Sequence, residues 1–372
     1  MTIVSARLAG LCLLALGVAL PGPARAFMPP PRPPACIPAD ASVTVAALGT
    51  VLAGTDPFYL RQCAANDLAA RGAAAVPVVV ALLGSTDFTT AHLALDAVAA
   101  LGPQAQAALP TLLGLIVRPR TLEGNDLGIY RAVGALGAAA RPAIALLISK
   151  SREPGYRYPS VAALGMLGRY DAQRVVPHLI ALLESVPGPR VPIDAPDLLH
   201  ALRAIGKPAR AALPATLASL GQARAARDSM HGAAAIQALL AIAEPGESLP
   251  LLAGLLDDPM LAGDAVDSLA LLGPAAASTA PALIEKLGRS RNAPLMTDRI
   301  VRALAEIAPA SPLVQQQLLV EATQYESAHA AYVLAHTRPL PARFAPALAA
   351  ALASKPGDVF IGMALDNARP AE

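Results

Sequence analysis

A short phrase recurs along this chain: an apolar stretch rich in small residues ends in Leu-Gly or a close relative, and a proline follows within a few residues. The residues that end the copies, here called anchors, are Gly72, Gly102, Gly137, Gly168, Gly206, Ala243, Gly273 and Ala308. Successive anchors are 30 to 38 residues apart. Self-similarity at this period is typical of stacked helical repeats, in which each unit buries its apolar side only against its neighbours. The repeat therefore predicts an α-solenoid.

The residues before each anchor follow a helical spacing. Positions one, four, seven and eight places back fall on one side of a helix with 3.6 residues per turn, and in the seven copies from Gly102 onward they are mostly Leu, Ile, Val or Ala. We expect this stripe to be buried. Five places back, the same seven copies hold only Ala or Ser, which predicts that neighbouring helices approach too closely for a larger side chain.

The end of each copy predicts a break between two helices. Glycine takes the left-handed conformation after a helix without a Cβ penalty, and proline is well tolerated at the start of the next helix. Each copy therefore predicts a helix pair. Four later segments, 312–323, 326–337, 341–354 and 357–368, continue the pattern as two further pairs.

Two strings of the repeat carry a family resemblance. Residues 300–307 (IVRALAEI) and 130–137 (YRAVGALG) resemble the inner helix of HEAT repeats, most of all the short HEAT-like units first described in phycobilisome lyases. The resemblance covers residues 41–370 and implies an all-α fold, a right-handed α-solenoid of about nine HEAT-like helix pairs. In that family an arginine helps to tie the stack together, and only Arg131 and Arg302 match it.

The first 40 residues predict export. Residues 1–26 are typical of a secretory signal peptide, with Arg7, an uncharged apolar core from Leu8 to Leu20 and the cleavage pattern Ala24-Arg25-Ala26. An uncleaved anchor is the alternative. Residues 27–40 are expected to form a proline-rich extended leader, and the solenoid is expected to occupy residues 41–372. We expect a periplasmic or secreted protein with no integral membrane span after cleavage. The uncharged stretch from Ala97 to Val117 contains two prolines and is interpreted as two packed helices.

Two cysteines remain after the predicted signal peptide is removed. In an oxidising compartment Cys36 and Cys63 are expected to form a disulfide that pins the leader over the open end of the stack, with two free thiols as the alternative.

The net charge of the mature chain bears on which class of partner it binds. Loss of Arg7 and Arg25 from 29 basic residues leaves 27, equal to the 27 acidic residues. This balance argues against nucleic-acid binding. One basic cluster is either a solvated face or a site for an anionic partner: Arg203, Lys207, Arg210, Arg224 and Arg227.

Motifs for catalysis are missing from the sequence, so we expect no enzyme, no cofactor and no metal. The chain has no phosphate-binding glycine loop, no His-Glu-x-x-His and no Gly-x-Ser-x-Gly. Glu326, His329 and His336 are interpreted as a polar surface helix rather than a metal site. Phycobilin lyases attach bilins inside photosynthetic cells, where an exported protein would not meet this substrate. The resemblance therefore implies a lyase-like role only as an alternative.

The exposed side of the inner helices predicts contacts and a binding surface. Six places before the anchors, neighbouring copies bring Asp96 near Arg131 and Asp267 near Arg302, which predicts inter-repeat ion pairs on the concave face. Tyr158, His200 and Arg203 combine an aromatic ring with polar tips, and we expect them to bind a partner. The favoured function is an exported scaffold that binds a protein partner on this face. The alternatives are a lyase-like or cofactor-handling HEAT-repeat enzyme and an envelope-associated structural protein.

Overall fold

The computed structural model of the protein describes residues 42–117, 126–185 and 194–369. Within these residues the chain forms twenty α-helices and no β-strand. The helices are α1 (Val45–Ala53), α2 (Phe58–Ala70), α3 (Val76–Leu82), α4 (Phe88–Leu101), α5 (Leu109–Val117), α6 (Asp126–Ala135), α7 (Ile144–Lys150), α8 (Arg157–Leu167), α9 (Ala172–Glu184), α10 (Asp194–Ile205), α11 (Leu213–Ala226), α12 (Ser229–Ile242), α13 (Pro245–Gly254), α14 (Ala262–Leu272), α15 (Ala280–Arg289), α16 (Pro294–Ile307), α17 (Pro312–Gln324), α18 (Ala328–His336), α19 (Ala345–Ser354) and α20 (Val359–Ala368).

The helices form two layers. From α2 to α20, every even-numbered helix packs against the next even-numbered helix, and the odd-numbered helices form the second layer, whose members touch each other more sparsely. Nine pairs run from α2/α3 to α18/α19, with α1 before them and α20 after them. The fold is therefore an all-α solenoid, as the repeat predicts.

The predicted buried stripe lies between the layers. The positions four, seven and eight places before the anchors are buried in all seven copies, and so is the Ala or Ser column. Of the seven residues one place before the anchors, six are buried and Leu272 is half-buried. The approach between helices is closest around Gly165 on α8, where an added Cβ would lie 2.8 Å from the Cα of Ala201 on α10. Small residues in this layer therefore set the distance between repeats.

The breaks between helices follow the prediction with one exception among the anchor glycines. Gly72, Gly102, Gly137, Gly206 and Gly273 have φ between 56° and 74°, the left-handed region that favours glycine. Gly168 has φ −62° and continues the right-handed turn. Its glycine is required by packing instead, because a Cβ there would overlap the Cδ1 atom of Ile205 on α10.

Not every proline opens a helix as predicted. Pro77, Pro110, Pro214 and Pro281 stand in the second position of α3, α5, α11 and α15. Pro177 and Pro250 instead lie inside α9 and α13, because both helices begin earlier than the pattern indicates. In α13 the earlier start is stabilised by a capping box between Glu244 and Glu247.

One apolar segment, Phe88–Val117, has the length and composition to cross a membrane. It is not one straight helix, because Gly102 interrupts it with a φ of 57°. The segment consists of α4, a 3₁₀ turn (Gly102–Ala108) and α5, which is the arrangement expected from its two prolines. Both helices pack against α6.

The predicted signal peptide, the leader and Cys36 lie outside the described residues. Cys63 lies on α2 and is disulfide-bonded. It is the only cysteine in the described part of the chain, so its pairing with Cys36 stays a prediction.

A buried arginine joins the first helices of the stack. Arg61 on α2 donates from Nε to the carbonyl of Leu52 at 2.9 Å, and from Nη2 to Asp87 Oδ2 at 2.6 Å and Thr90 Oγ1 at 2.7 Å. Asp87 also accepts from the backbone N–H of Thr90 at 2.8 Å and so caps α4. Hydrogen bonds from the Thr90 hydroxyl and from Arg61 lower the pKa of Asp87 from 3.8 to about 2.

We expect Gly165→Ala to destabilise the fold by about 1–3 kcal/mol, because the new methyl group meets backbone rather than a movable side chain. The matched control is Gly221→Ala on α11, where a Cβ meets no atom within 4 Å. That change is expected to stabilise by about 0.5–1 kcal/mol, the helix-propensity difference. Urea denaturation followed by circular dichroism measures both. Equal effects of the two substitutions would show that close helix approach does not limit the stack.

Asp87→Asn is expected to reduce stability by about 1–2 kcal/mol near neutral pH, since a charge-assisted bond to Arg61 is lost at a half-exposed carboxylate. The folded pKa of Asp87 lies below the unfolded value, so its contribution is complete above about pH 4 and declines as the pH falls towards 2. The difference between wild type and variant should shrink over that window in urea titrations at pH 6, 4, 3 and 2. A difference independent of pH would contradict the assignment.

Candidate functional site

The predicted inter-repeat ion pairs are present as contacts on the even-numbered layer. A guanidinium nitrogen of Arg131 on α6 hydrogen-bonds the Asp96 carboxylate on α4. Asp267 on α14 lies between two arginines of α16, with Arg302 Nη2 at 3.0 Å and Arg299 Nη1 at 3.2 Å. All these groups are partly exposed, and exposed pairs contribute only about 0–1 kcal/mol each. Their effect is on the register between repeats more than on stability.

The basic cluster of the sequence is largely neutralised by the next repeat. Four of its members reach partners 34 to 37 positions later. Arg203 donates to Gln237 Oε1 at 2.6 Å, Lys207 pairs with Glu244 at 3.0 Å, Arg210 forms a two-point pair with Glu247 at 2.7 and 2.9 Å, and Arg224 pairs with Asp258 at 2.8 Å. These side chains clamp adjacent repeats, and three of the five charges are paired with carboxylates, while Arg203 bonds a neutral amide.

The residues predicted to bind a partner are exposed but do not form one cluster. Tyr158 lies in the first turn of α8 and His200 in the middle of α10. Arg203 lies in the last turn of α10. Tyr158 and Arg203 differ by seven places relative to their anchors, or about 10 Å along the helix axes at 1.5 Å per residue. Arg203 lines a groove of about 470 Å³ that it shares with α12 and α14.

That groove lies between α12 and α14, where neighbouring even-numbered helices touch less extensively than they do from α2 to α12. Its volume is about 470 Å³. Apolar side chains line it, with Leu240 and Ala241 from α12 and Leu271 and Leu272 from α14. Leu271 is 83% exposed, as is Leu295 on α16, but of the two only Leu271 lines this groove. The groove therefore offers apolar surface without a partner in the described chain.

Polar groups of opposite charge stand at the groove. Arg203 and Gln237 lie on the α10–α12 side, and Asp264 and Asp267 on the α14 side. Burial raises the pKa of the Asp264 carboxyl, and the nearby Arg299 opposes that shift. A partly buried carboxylate beside apolar surface is poised to accept a donor from a ligand.

Sequence reasoning missed Leu271, although a signal exists. Two places before the anchor the seven copies carry Ala100, Ala135, Met166, Ala204, Ala241, Leu271 and Glu306. This column lies beside the buried stripe and faces outward. A leucine in it therefore differs from the alanine that most copies carry there.

Two hydroxyl–imidazole pairs in the stack are structural. Ser151 Oγ lies 2.7 Å from His178 Nε2, and Ser219 Oγ lies 2.7 Å from His231 Nε2. Both serines are buried. Burial lowers the pKa of both imidazoles, most directly by desolvation. Among the described residues, no three His, Cys, Asp or Glu side chains gather to hold a metal ion.

No protein-family model matches the chain, and no curated protein matches it. Several solved structures are similar in fold. An engineered protein is 20% identical with a TM-score of 0.41, over 88% of this chain and 99% of its own. The karyopherin Kap121p bound to the extreme C-terminus of the protein phosphatase Cdc14p is 16% identical with a TM-score of 0.44, over 89% of this chain. This chain spans 42% of that karyopherin. At these identities and TM-scores the likenesses say nothing about what the chain binds.

Proposed function

We propose that this protein is an exported interaction scaffold that binds a segment of a protein partner in the groove between α12 and α14, on the concave face of the solenoid. The observation that carries the proposal is the exposure of Leu271 in a groove with charged groups beside it. Burial of one leucine side chain contributes about 1.5–3 kcal/mol to association. The combination that supports a binding site is apolar lining with a few polar groups in one concave place.

The groove specifies the chemistry of its occupant. Leu240 and Leu271 call for an apolar side chain of the partner at the centre. Arg203 favours a carboxylate or carbonyl at one side, and Asp264 favours an N–H or basic donor at the other. Two unlike polar contacts around one apolar anchor fix the direction of the bound segment.

Two features support the proposed compartment in which this binding occurs. The signal-peptide pattern of residues 1–26 leads to the periplasm or to secretion. A disulfide at Cys63 suits an oxidising compartment. The proposed role is therefore that of a periplasmic or secreted protein.

Leu271→Asp is expected to weaken partner binding at least about tenfold, because it removes the apolar anchor and adds a charge beside Asp264 and Asp267. The matched control is Leu313→Asp on α17, an equal charge change at a leucine that is 52% exposed in the odd-numbered layer. A photo-crosslinking amino acid placed at 271 or at 313 in the chain, tested in an envelope and periplasm extract, identifies what lies at each surface. A protein of fixed mass crosslinked only from 271 supports the site. Equal crosslinking from both positions, or none from 271, would contradict it.

Export has its own expected outcome. When the chain is produced with its first 26 residues, the recovered protein should begin at Phe27 and lie in the periplasmic or medium fraction. N-terminal sequencing of each fraction measures this. An uncleaved chain in the membrane fraction would contradict cleavage and release. It would show instead that the N-terminal segment anchors the protein in the membrane.

A further inference from the structure

A second groove lies at a different place in the stack. It is formed by the beginning of α16, the end of α17 and the beginning of α18, with a volume of about 710 Å³. Its lining is polar and aromatic rather than aliphatic. The side chains that matter here are Arg291, Asp298, Glu321, Tyr325, Glu326 and Tyr332. As between α12 and α14, the even-numbered helices α16 and α18 touch less extensively than their neighbours.

Glu321 is the central group of this groove. Its side chain is only 1% exposed, an unusual state for a carboxylate. One oxygen, Oε1, accepts a hydrogen bond from Gln317 Nε2 at 2.9 Å and forms an ion pair with Arg291 Nη2 at 3.2 Å. The other oxygen, Oε2, is buried and has no hydrogen-bond partner. A buried carboxylate with half of its acceptor capacity unused carries a free-energy cost that a donor from outside would offset.

The same wall already holds one guanidinium. The Cζ atom of Arg291 lies 3.4 Å from the ring centroid of Tyr325, while its nitrogen reaches Glu321 Oε1. A tyrosine face and a carboxylate together hold an arginine through cation–π and charge-assisted contacts. Tyr332, half-exposed across the groove, supplies a second ring, and Glu321 Oε2 supplies the second acceptor.

The charge of the lining selects a cation. Three carboxylates, Asp298, Glu321 and Glu326, face one arginine, and Glu326 is paired with Lys355 from α19's C-terminal end. Asp298 is exposed and has no ion-pair partner in the described chain. The excess of negative charge disfavours an anion and favours an ammonium or guanidinium group.

We propose that this groove binds an arginine or lysine side chain presented by an extended protein segment, with Glu321 Oε2 and Asp298 as acceptors and Tyr332 as the aromatic face. The size supports a segment rather than a free amine, because 710 Å³ greatly exceeds the volume of one side chain. The inference rests on the proposed scaffold function, but its site is distinct from the apolar groove.

The test uses fluorescein-labelled tetraarginine and tetraglutamine peptides, titrated with the purified chain and followed by fluorescence anisotropy. Tetraarginine is expected to bind and tetraglutamine to bind at least about tenfold more weakly. Glu321→Gln keeps the side-chain volume and leaves a carbonyl for Arg291 and Gln317. It places an NH₂ donor at the position of Oε2, which repels a cationic ligand. We expect it to weaken tetraarginine binding about tenfold to a hundredfold, the range for a lost charge-assisted hydrogen bond.

Two further variants keep the result interpretable. Asp298→Asn changes an exposed residue and should fold normally while weakening binding several-fold. Glu285→Gln on α15 removes the same charge from an exposed carboxylate that pairs with Arg289 outside the groove, and it should leave binding unchanged. Thermal unfolding of each variant reports whether the fold is retained.

Several outcomes would overturn the proposal. The first is that tetraglutamine binds as tightly as tetraarginine. The second is that Glu285→Gln weakens tetraarginine binding as much as Asp298→Asn does. The third is that free arginine binds with the same Kd as tetraarginine. Leu271→Asp should leave tetraarginine binding intact. If Leu271→Asp has no effect on the partner while Glu321→Gln abolishes tetraarginine binding, the apolar site fails and this one stands.

Discussion

Close contact between successive even-numbered helices is the constraint on which the rest of the structure depends. These helices carry Ala or Ser where they approach each other, and glycine where a single methyl group is already too large, as at Gly165. Because each repeat can bury its apolar stripe only against its neighbours, this spacing decides how much of the stripe is removed from water. It also decides where the surface is open. Where the even-numbered helices touch less extensively, at α12/α14 and α16/α18, the structure contains the two grooves described above.

Charged side chains have a second role in this fold, which is alignment. The Arg and Lys residues after the inner helices reach acceptors one repeat further on, as Arg210 reaches Glu247 and Arg224 reaches Asp258. Each such pair is worth little on its own, since solvent screens it. In a stack of similar apolar layers, however, a one-turn slip between repeats costs little hydrophobic contact but breaks several pairs at once. This distributed set replaces the arginine ladder that the family resemblance implies and that only Arg131 and Arg302 retain.

The sequence predicted the features that depend on the repeat period. It did not predict those that depend on the distance between neighbouring repeats in space. The anchor spacing was sufficient for the helix pairs and the buried stripe, because these follow from residues within one repeat. It was wrong for the starts of α9 and α13, both of which begin before their proline, in α13 with a capping box. It was also wrong for the backbone of Gly168, whose glycine packs against Ile205. Neither groove could be predicted. Leu271 differs from most of its column and Glu321 looks ordinary in its helix, but the exposure of the first and the burial of the second depend on how far away the next repeat lies.

The two grooves together have a geometric consequence. They are separated by the tight α14–α16 contact, so two helix spacings of about 8–10 Å each, roughly 16–20 Å, lie between them. An extended chain covers about 3.3 Å per residue, so a segment of about six residues reaches from one groove to the other. A ligand with an apolar residue at one end and a basic residue at the other would then bind both sites, and the second contact would form at a high effective concentration. For such a ligand, the fixed spacing between repeats would add selectivity to that of each proposed site.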